Sequence, residues 1–142
     1  MNVLRILGIA RLPVEADALI PPDDRLLVCE HLSCSVTLRN FRAPGRACNW
    51  KRQWFAGSIA VSEDHIIAFR GRRRLINTPL DDPRCCKSSF TADEYILYIA
   101  HDAALYHDDW SGQIEYRFRT PDAQKIATIA RDAVSRSAAV TS

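Results

Sequence analysis

Between Leu32 and Phe118 the sequence is a series of short segments in which apolar and polar positions alternate. In the clearest early segment, Cys34, Val36 and Leu38 alternate with serine, threonine and arginine residues. A period of two predicts a β-strand with one buried face, and turn-forming residues separate such segments. The pattern predicts about seven antiparallel strands, over residues 32–39, 54–61, 66–69, 74–78, 86–90, 95–99 and 113–119.

A helix pattern follows the last strand. Thr120 is a favourable N-cap, Pro121 suits the first helical position, and Asp122 complements the positive end of the helix dipole. Apolar residues then recur at the spacing of a helix buried on one side, at Ile126, Ile129, Ala130, Ala133 and Val134. The predicted fold class is mainly β (α+β), with about seven antiparallel strands in a partly open barrel or sandwich that one C-terminal amphipathic helix closes.

Breaks in the pattern divide the chain. Residues 1–25 form an N-terminal lead-in, in which Pro21 and Pro22 rule against a continuous helix and residues 1–12 fit a short helix or a strand. Residues 26–136 form the predicted domain, and residues 137–142 a flexible tail. Turns are predicted at residues 62–64 and at Gly71, and a basic loop from Ala43 to near Arg52.

Length and composition suit one globular domain of 142 residues. No apolar run approaches the roughly 18 residues that span a bilayer, and residues 1–12 lack the small-residue cleavage site of a signal peptide. The five cysteines are odd in number and include no Cys-x-x-Cys pair. This usage is typical of a reducing compartment, so we expect a cytoplasmic protein.

Charge is unevenly distributed, although the net charge is only +2. Residues 39–74 carry +7 and residues 81–115 carry −6. Such asymmetry bears on the choice of partner more than on the fold. The candidate ligand-binding residues are the cations of two predicted basic loops, Arg42, Arg46, Lys51, Arg52, Arg70, Arg72, Arg73 and Arg74. The alternative is a solvated basic rim that keeps sheet edges from pairing.

Two segments resemble a known superfold. Residues 59–69 resemble a hairpin in which a strand ends in Ser or Thr, turns through Asp and resumes with aliphatic residues, and residues 75–82 resemble a following strand that ends in Ile-x-x-Pro-Leu-x-Asp. The chain is similar, over residues 26–136, to the bacterial and GRAM-like branches of the pleckstrin-homology-like superfold. The resemblance implies that both basic loops open at one end of a barrel. His65 stands where that pattern usually has arginine. No Arg-x-Arg falls within the strand after the first loop, so the usual inositol-phosphate signature is not present there.

Three other groups of residues allow either a structural role or a role in binding or chemistry. Trp50, Trp54 and Phe55 are predicted to be core residues, with a lipid interface or a base-stacking surface as the alternative. Cys29 and Cys34 are predicted to be buried thiols rather than zinc ligands. The minority hypotheses are redox chemistry at Cys85 and Cys86, and metal or acid–base chemistry in the loop that holds His101, Asp102, His107, Asp108 and Asp109.

Three functions therefore stay open. The leading hypothesis is a non-enzymatic binding module that recognises a protein partner or an anionic, phosphate-bearing group through the basic loops, with no cofactor. The alternatives are a small ligand-binding barrel or enzyme that uses His101, His107 and Asp109, and nucleic-acid binding by residues 39–74. Expected partners are a protein or an acidic headgroup, with peripheral membrane contact and self-association as further options and nucleic acid as the least favoured.

Overall fold

The computed structural model describes residues 10–141. Within them the chain forms seven strands: β1 (Arg25–Ala43), β2 (Arg46–Ser62), β3 (His65–Arg70), β4 (Arg73–Pro79), β5 (Ser89–Ala92), β6 (Ile96–Asp102) and β7 (Ser111–Arg119). The helices are α1 (Ala16–Leu19) and α2 (Ala123–Thr141). Short 3-10 turns lie at Pro22–Asp24, Pro83–Lys87 and Ala103–Leu105.

The strands form one antiparallel sheet in the order β4-β3-β2-β1-β7-β6-β5. The sheet curls into a half-barrel whose two edges are β4 and β5, which confirms the predicted fold class. Because β1, β3 and β6 run in the same direction, the β1–β2 turn, the β3–β4 turn and the β6–β7 loop lie at one end, which we call the upper end. The β2–β3 and β5–β6 turns lie at the lower end.

The main core fills the concave side of the sheet beneath α2. Fully buried side chains from the strands, such as Ile59, Leu97 and Phe118, pack against Ile126 and Ala130 of the helix. This is the apolar stripe that the helical spacing predicted. The helix thus closes the lower part of the half-barrel, while the upper part of the concave side stays open.

The start of α2 follows the sequence prediction. The hydroxyl oxygen of Thr120 accepts a hydrogen bond from the Asp122 backbone N–H at 3.1 Å. The helix continues to Thr141, past Ser135, where the apolar pattern ends. Ser137 helps to hold this last part, since its hydroxyl donates to the Asp81 carbonyl at 3.0 Å. No helix in the described part of the chain is long and apolar enough to cross a membrane.

The first hairpin is longer than the sequence suggested. A basic loop was expected between Ala43 and Arg52, but β1 and β2 pair continuously up to Ala43 and Arg46, and only Pro44 and Gly45 form the turn. Gly45 has φ +74°, a conformation that glycine adopts without a steric penalty. Lys51 and Arg52 are therefore strand residues, and the expectation of a long loop was wrong.

The N-terminal segment packs on the outer face of the sheet. Ala16 and Ile20 are buried against Ala60, Ile67 and Phe69 of β2 and β3, forming a second small core. Burial of apolar groups on both faces stabilises this half of the sheet. The prediction for residues 1–12 falls mostly outside the described residues, which begin at Ala10.

Candidate functional site

A cavity of about 490 Å³ opens on the upper concave side, between edge strand β4 and strands β5–β7. Its floor is apolar and is formed by inward-facing isoleucines and Phe90, which continue the main core. Its polar wall has six prominent residues: Arg73, Arg74, His101, Tyr106, His107 and Tyr116. The cavity exists because α2 covers only the lower half of the concave face. A concave site with an apolar floor and a few polar groups is the usual form of a small-ligand site.

Edge strand β4 forms one side of the cavity. Neighbouring residues of a strand point to opposite faces, and all residues from Arg73 to Thr78 line the cavity, so both faces of this edge strand border it. The β3–β4 register shifts between Ala68 and Phe69, so that Leu75 is an extra residue in β4. A bulge of this kind redirects side chains at the end of a strand.

The charges of these arginines are available to a ligand. None of the ion pairs among the described residues includes Arg73 or Arg74. Burial raises the pKa of Tyr116, and the nearby positive charge of Arg73 opposes part of that rise. The Tyr116 phenol therefore stays protonated at neutral pH and can donate a hydrogen bond into the cavity.

The histidines of the β6–β7 region form the opposite wall. Burial lowers the pKa of His101, so its ring is neutral at pH 7. The His101 ring meets the edge of Tyr106 at a centroid distance of 5.1 Å, and His107 stacks on Trp110 at 3.6 Å. Both histidines predicted as candidates thus reach the same cavity.

The acidic residues of that loop do not join them. The Asp102 carboxylate accepts the Ala104 backbone N–H at 3.0 Å and so caps a 3-10 turn. Asp108 and Asp109 are exposed and do not line the cavity. Asp102, Asp108 and Asp109 nevertheless lie at the upper end with the basic turns, so positive and negative segments are not fully separated in space.

The eight predicted cations do not form one site. Arg73 and Arg74 line the cavity, Arg70 lies over the Phe55 ring at 5.5 Å, and Arg72 borders the N-terminal segment. Arg42 and Arg46 lie at the β1–β2 turn. Arg70 pairs with Gly57, which lies eleven residues along β2 from Arg46. At roughly 3.3 Å per residue this separation is about 36 Å of strand. Only two of the eight residues therefore belong to the cavity.

The two tryptophans of β2 are surface residues. Trp50 is 58% exposed and Trp54 is 71% exposed, so the prediction that they belong to the core was wrong. They share the convex face of the sheet with Arg52, because side chains alternate along a strand. Phe55, on the opposite face of β2, is partly buried against the main core.

The cysteines behave as the alternation predicted. Cys29 and Cys34 are buried, and burial raises the pKa of Cys34 to about 12. Cys85 is also buried, with its pKa raised to about 11, whereas Cys86 is exposed. Within the described residues, no group of three or more His, Cys, Asp and Glu side chains could hold a metal ion.

Tyr106 and Tyr116 are cavity residues that the sequence analysis did not single out. Tyr116 could have been found, because it alternates with Ile114 and Phe118 and therefore shares their inward face. Tyr106 gave no such signal, since it lies in an irregular loop.

Comparison with known proteins does not assign the chain to a family: no protein-family model and no curated protein matches it. Its function has to be inferred from the cavity and from the exposed strand surface.

Proposed function

We propose that this protein is a non-enzymatic binding module of the pleckstrin-homology-like superfold, and that its cavity binds a small ligand with an apolar body and an anionic, phosphate-like group. One observation carries the proposal. The cavity combines an apolar floor with Arg73 and Arg74, which have no ion-pair partner among the described residues. An apolar site with a few convergent polar groups is the usual form of a small-molecule site.

The floor would hold the apolar body of the ligand. Ile66, Ile76 and Ile99 belong to the packed core, so the surface they offer is already fixed in position. Each 100 Å² of apolar ligand surface removed from water there contributes about 2.5 kcal/mol. The cavity volume falls in the range of about 300–1,000 Å³ that is common for such sites.

The polar wall would hold the anionic group. A guanidinium binds phosphate or carboxylate oxygens through two parallel hydrogen bonds, and Arg73 and Arg74 are consecutive. The protonated hydroxyl of Tyr116 adds a neutral donor next to Arg73. His101 is neutral and so adds a donor or an acceptor without adding charge.

Acid–base catalysis is the second candidate, because His101 and His107 line the same cavity. The geometry supports it less well. A catalytic histidine is usually oriented by a carboxylate, and Asp102 caps a turn while Asp109 is exposed. Nucleic-acid binding by residues 39–74 stays a prediction. Their cations are divided between two faces of the sheet, which counts against one continuous surface that binds the phosphates of a nucleic acid.

Calorimetric titration with decyl phosphate and with decanol tests the proposal, because the two probes differ only in the anionic group. We expect decyl phosphate to bind more tightly, and Arg73→Ala or Arg74→Ala to weaken its binding about tenfold, the size of one lost charged hydrogen bond. Decanol affinity should not change. Arg72→Ala is the matched control, since Arg72 lies in the same turn but outside the cavity.

The outcomes separate the alternatives. Equal affinity for both probes, or decyl phosphate affinity that survives Arg73→Ala and Arg74→Ala, would contradict the proposal. A parallel titration with phosphatidic acid vesicles distinguishes two sources of the anionic group. Tighter binding to the vesicles indicates a lipid headgroup, and tighter binding to free decyl phosphate indicates a soluble phosphate compound. Hydrolysis of a nitrophenyl ester that is lost on His107→Ala would favour the enzymatic alternative.

A further inference from the structure

Strand β2 presents three large side chains in a row on the outer face of the half-barrel. Trp50, Arg52 and Trp54 share that face because side chains alternate along a strand. The Arg52 guanidinium lies over the Trp50 ring, 5.3 Å from its centroid, and its Nε donates to the Thr37 hydroxyl at 2.9 Å. The row is therefore held in place by contacts within the sheet.

The same part of β2 has a backbone edge that no other described strand covers. β3 pairs with residues Gly57 to Val61 of β2. Toward the upper end, the last hydrogen bond on this side of β2 is the one that the Gly71 N–H donates to the Ala56 carbonyl. Residues 46–55 pair only with β1. Alternate residues of a strand direct their backbone groups to the same side. The backbone carbonyl of Ala56 points to the β3 side of β2. The backbone N–H and C=O groups of Trp50, Arg52 and Trp54 therefore point to the same side, at the uncovered edge.

Strand β3 covers the edge of the other half of β2. The N-terminal segment packs on the outer face of that half, where Ala16 and Ile20 contact Ala60. A long strand edge with exposed aromatic residues is a template for another strand unless something covers or blunts it. Within the described residues, the edge from 46 to 55 lacks such a cover.

The surface around this edge is basic. Arg42, Arg46, Lys51 and Arg52 have no ion-pair partner among the described residues. Glu115 lies in the same row as Arg52, two strands away, but its carboxylate faces Arg117 Nε at 2.8 Å and Arg39 at 3.9 Å. Charge complementarity therefore favours an acidic occupant.

We propose that an extended acidic segment of another protein adds to the sheet as an antiparallel strand beside β2. Backbone hydrogen bonds provide the affinity, and alternate side chains provide the specificity. Cross-strand pairing places apolar residues opposite Trp54 and Trp50 and acidic residues opposite Arg52 and Lys51. The added strand runs antiparallel, so its first position lies opposite Trp54 and its fifth opposite Trp50. From first to fifth, its residues should be apolar, of any type, acidic, acidic and apolar.

Other occupants fit less well. Two copies of β2 paired with each other about Lys51 or Arg52 would place cation opposite cation, and like charges directly opposite destabilise a sheet. A single-stranded nucleic acid could stack on the tryptophans and bind the cations. Its phosphate oxygens accept hydrogen bonds, but its backbone has no repeating donors to pair with the carbonyls of the strand edge.

Fluorescence anisotropy of the full chain with a labelled peptide, Gly-Thr-Val-Thr-Glu-Glu-Ile-Thr-Gly, tests this proposal. We expect saturable binding that weakens with salt. Lysine in place of both glutamates should reduce affinity at least about tenfold. Trp54→Ala should reduce it at least about fivefold, the loss typical of an anchoring aromatic residue. Tyr95→Ala is the control, because Tyr95 is an exposed aromatic residue at the lower end.

Methylation of the peptide backbone distinguishes binding by strand addition from binding by charge attraction alone. The N–H of the first glutamate points to β2 in the proposed register, and the N–H of the threonine before it points away. N-methylation at the glutamate should therefore weaken binding about tenfold or more, whereas N-methylation at that threonine should have little effect.

Four results would overturn the proposal: absence of binding by the unmodified peptide, equal binding of the two methylated peptides, tighter Trp54-dependent binding of an oligo(dT) probe, or a dimer of the chain that Trp54→Ala dissociates. Circular dichroism of each variant confirms that the fold is retained, since Trp54 contributes no large buried contact.

Discussion

Replacing Gly112 by alanine should destabilise the fold much more than the same change at Gly45. Both glycines have positive φ, +101° and +74°. A Cβ at Gly45 would meet no atom within 4 Å, whereas a Cβ at Gly112 would lie 2.5 Å from the Asn40 carbonyl oxygen and 2.7 Å from that of Arg39. These oxygens belong to the backbone of β1. Arg39 pairs with both Trp50 and Gln113, and Asn40 lies at the register shift between β1 and β7 with φ +49°. An added Cβ would therefore have to displace this part of β1 from β7.

The expected magnitudes follow from two separate effects. A positive φ costs an alanine about 1–2 kcal/mol, and the reduced freedom of the unfolded chain returns about 0.4–1 kcal/mol. Gly45→Ala should therefore lower the free energy of unfolding by roughly 1 kcal/mol or less. Gly112→Ala adds an overpacking cost of about 1–3 kcal/mol, so its total should be roughly 1–4 kcal/mol. That is a large part of the 5–15 kcal/mol typical of a whole domain.

Urea unfolding followed by circular dichroism measures both changes in the same assay. The slope of the free energy with urea should be the same in both variants, since neither change alters the surface exposed on unfolding. If the two variants differ by less than about 0.5 kcal/mol, within the error of such extrapolation, the close approach of β7 to the Asn40 carbonyl is refuted.

Two further predictions concern titratable groups. At pH 8 an aromatic disulfide reagent should modify Cys86 quickly, and Cys34 and Cys85 only on unfolding, because burial raises their pKa to about 12 and about 11 and keeps both thiols protonated; rapid modification of either in the native protein would contradict this burial. Burial also lowers the pKa of His101 from 6.5, so below pH 6.5 the unfolded chain binds a proton more readily than the folded one. The free energy of unfolding should decrease as the pH falls below 6.5, and an equally steep decrease in His101→Gln would show that another group is responsible.

The strands and the terminal helix could be predicted because local alternation and burial agree. Ile114 and Phe118 lie on the inward face as their spacing predicted, and Ile126 and Ala130 meet them from the helix. The fifth strand is an exception, since it was expected over residues 86–90 and lies at Ser89–Ala92. The buried Cys85 belongs to a 3-10 turn, and a short apolar run cannot distinguish a turn packed on the core from a strand.

The cavity could not be predicted, because it depends on contacts between distant parts of the chain. Arg73 and Arg74 were identified as cations, but their place in one cavity with His101 follows from the curl of the whole sheet. The resemblance implied that both basic loops open at one end of a barrel, and the length of the first hairpin was underestimated. Residues 43–53 show no clean alternation, since β2 is supported there on one edge only and has little core to contact.

The exposed row on β2 was nevertheless encoded in the sequence. Trp50, Arg52 and Trp54 occupy every second position, so any strand that includes them places the three side chains on one face. A face that holds an arginine without a carboxylate partner has to contact water or a ligand, because burial of an unpaired charge costs several kcal/mol. The tryptophans had to be exposed once the segment was a strand. Their assignment to the core followed from the usual position of tryptophan at the start of a strand, and the arginine between them was the stronger evidence.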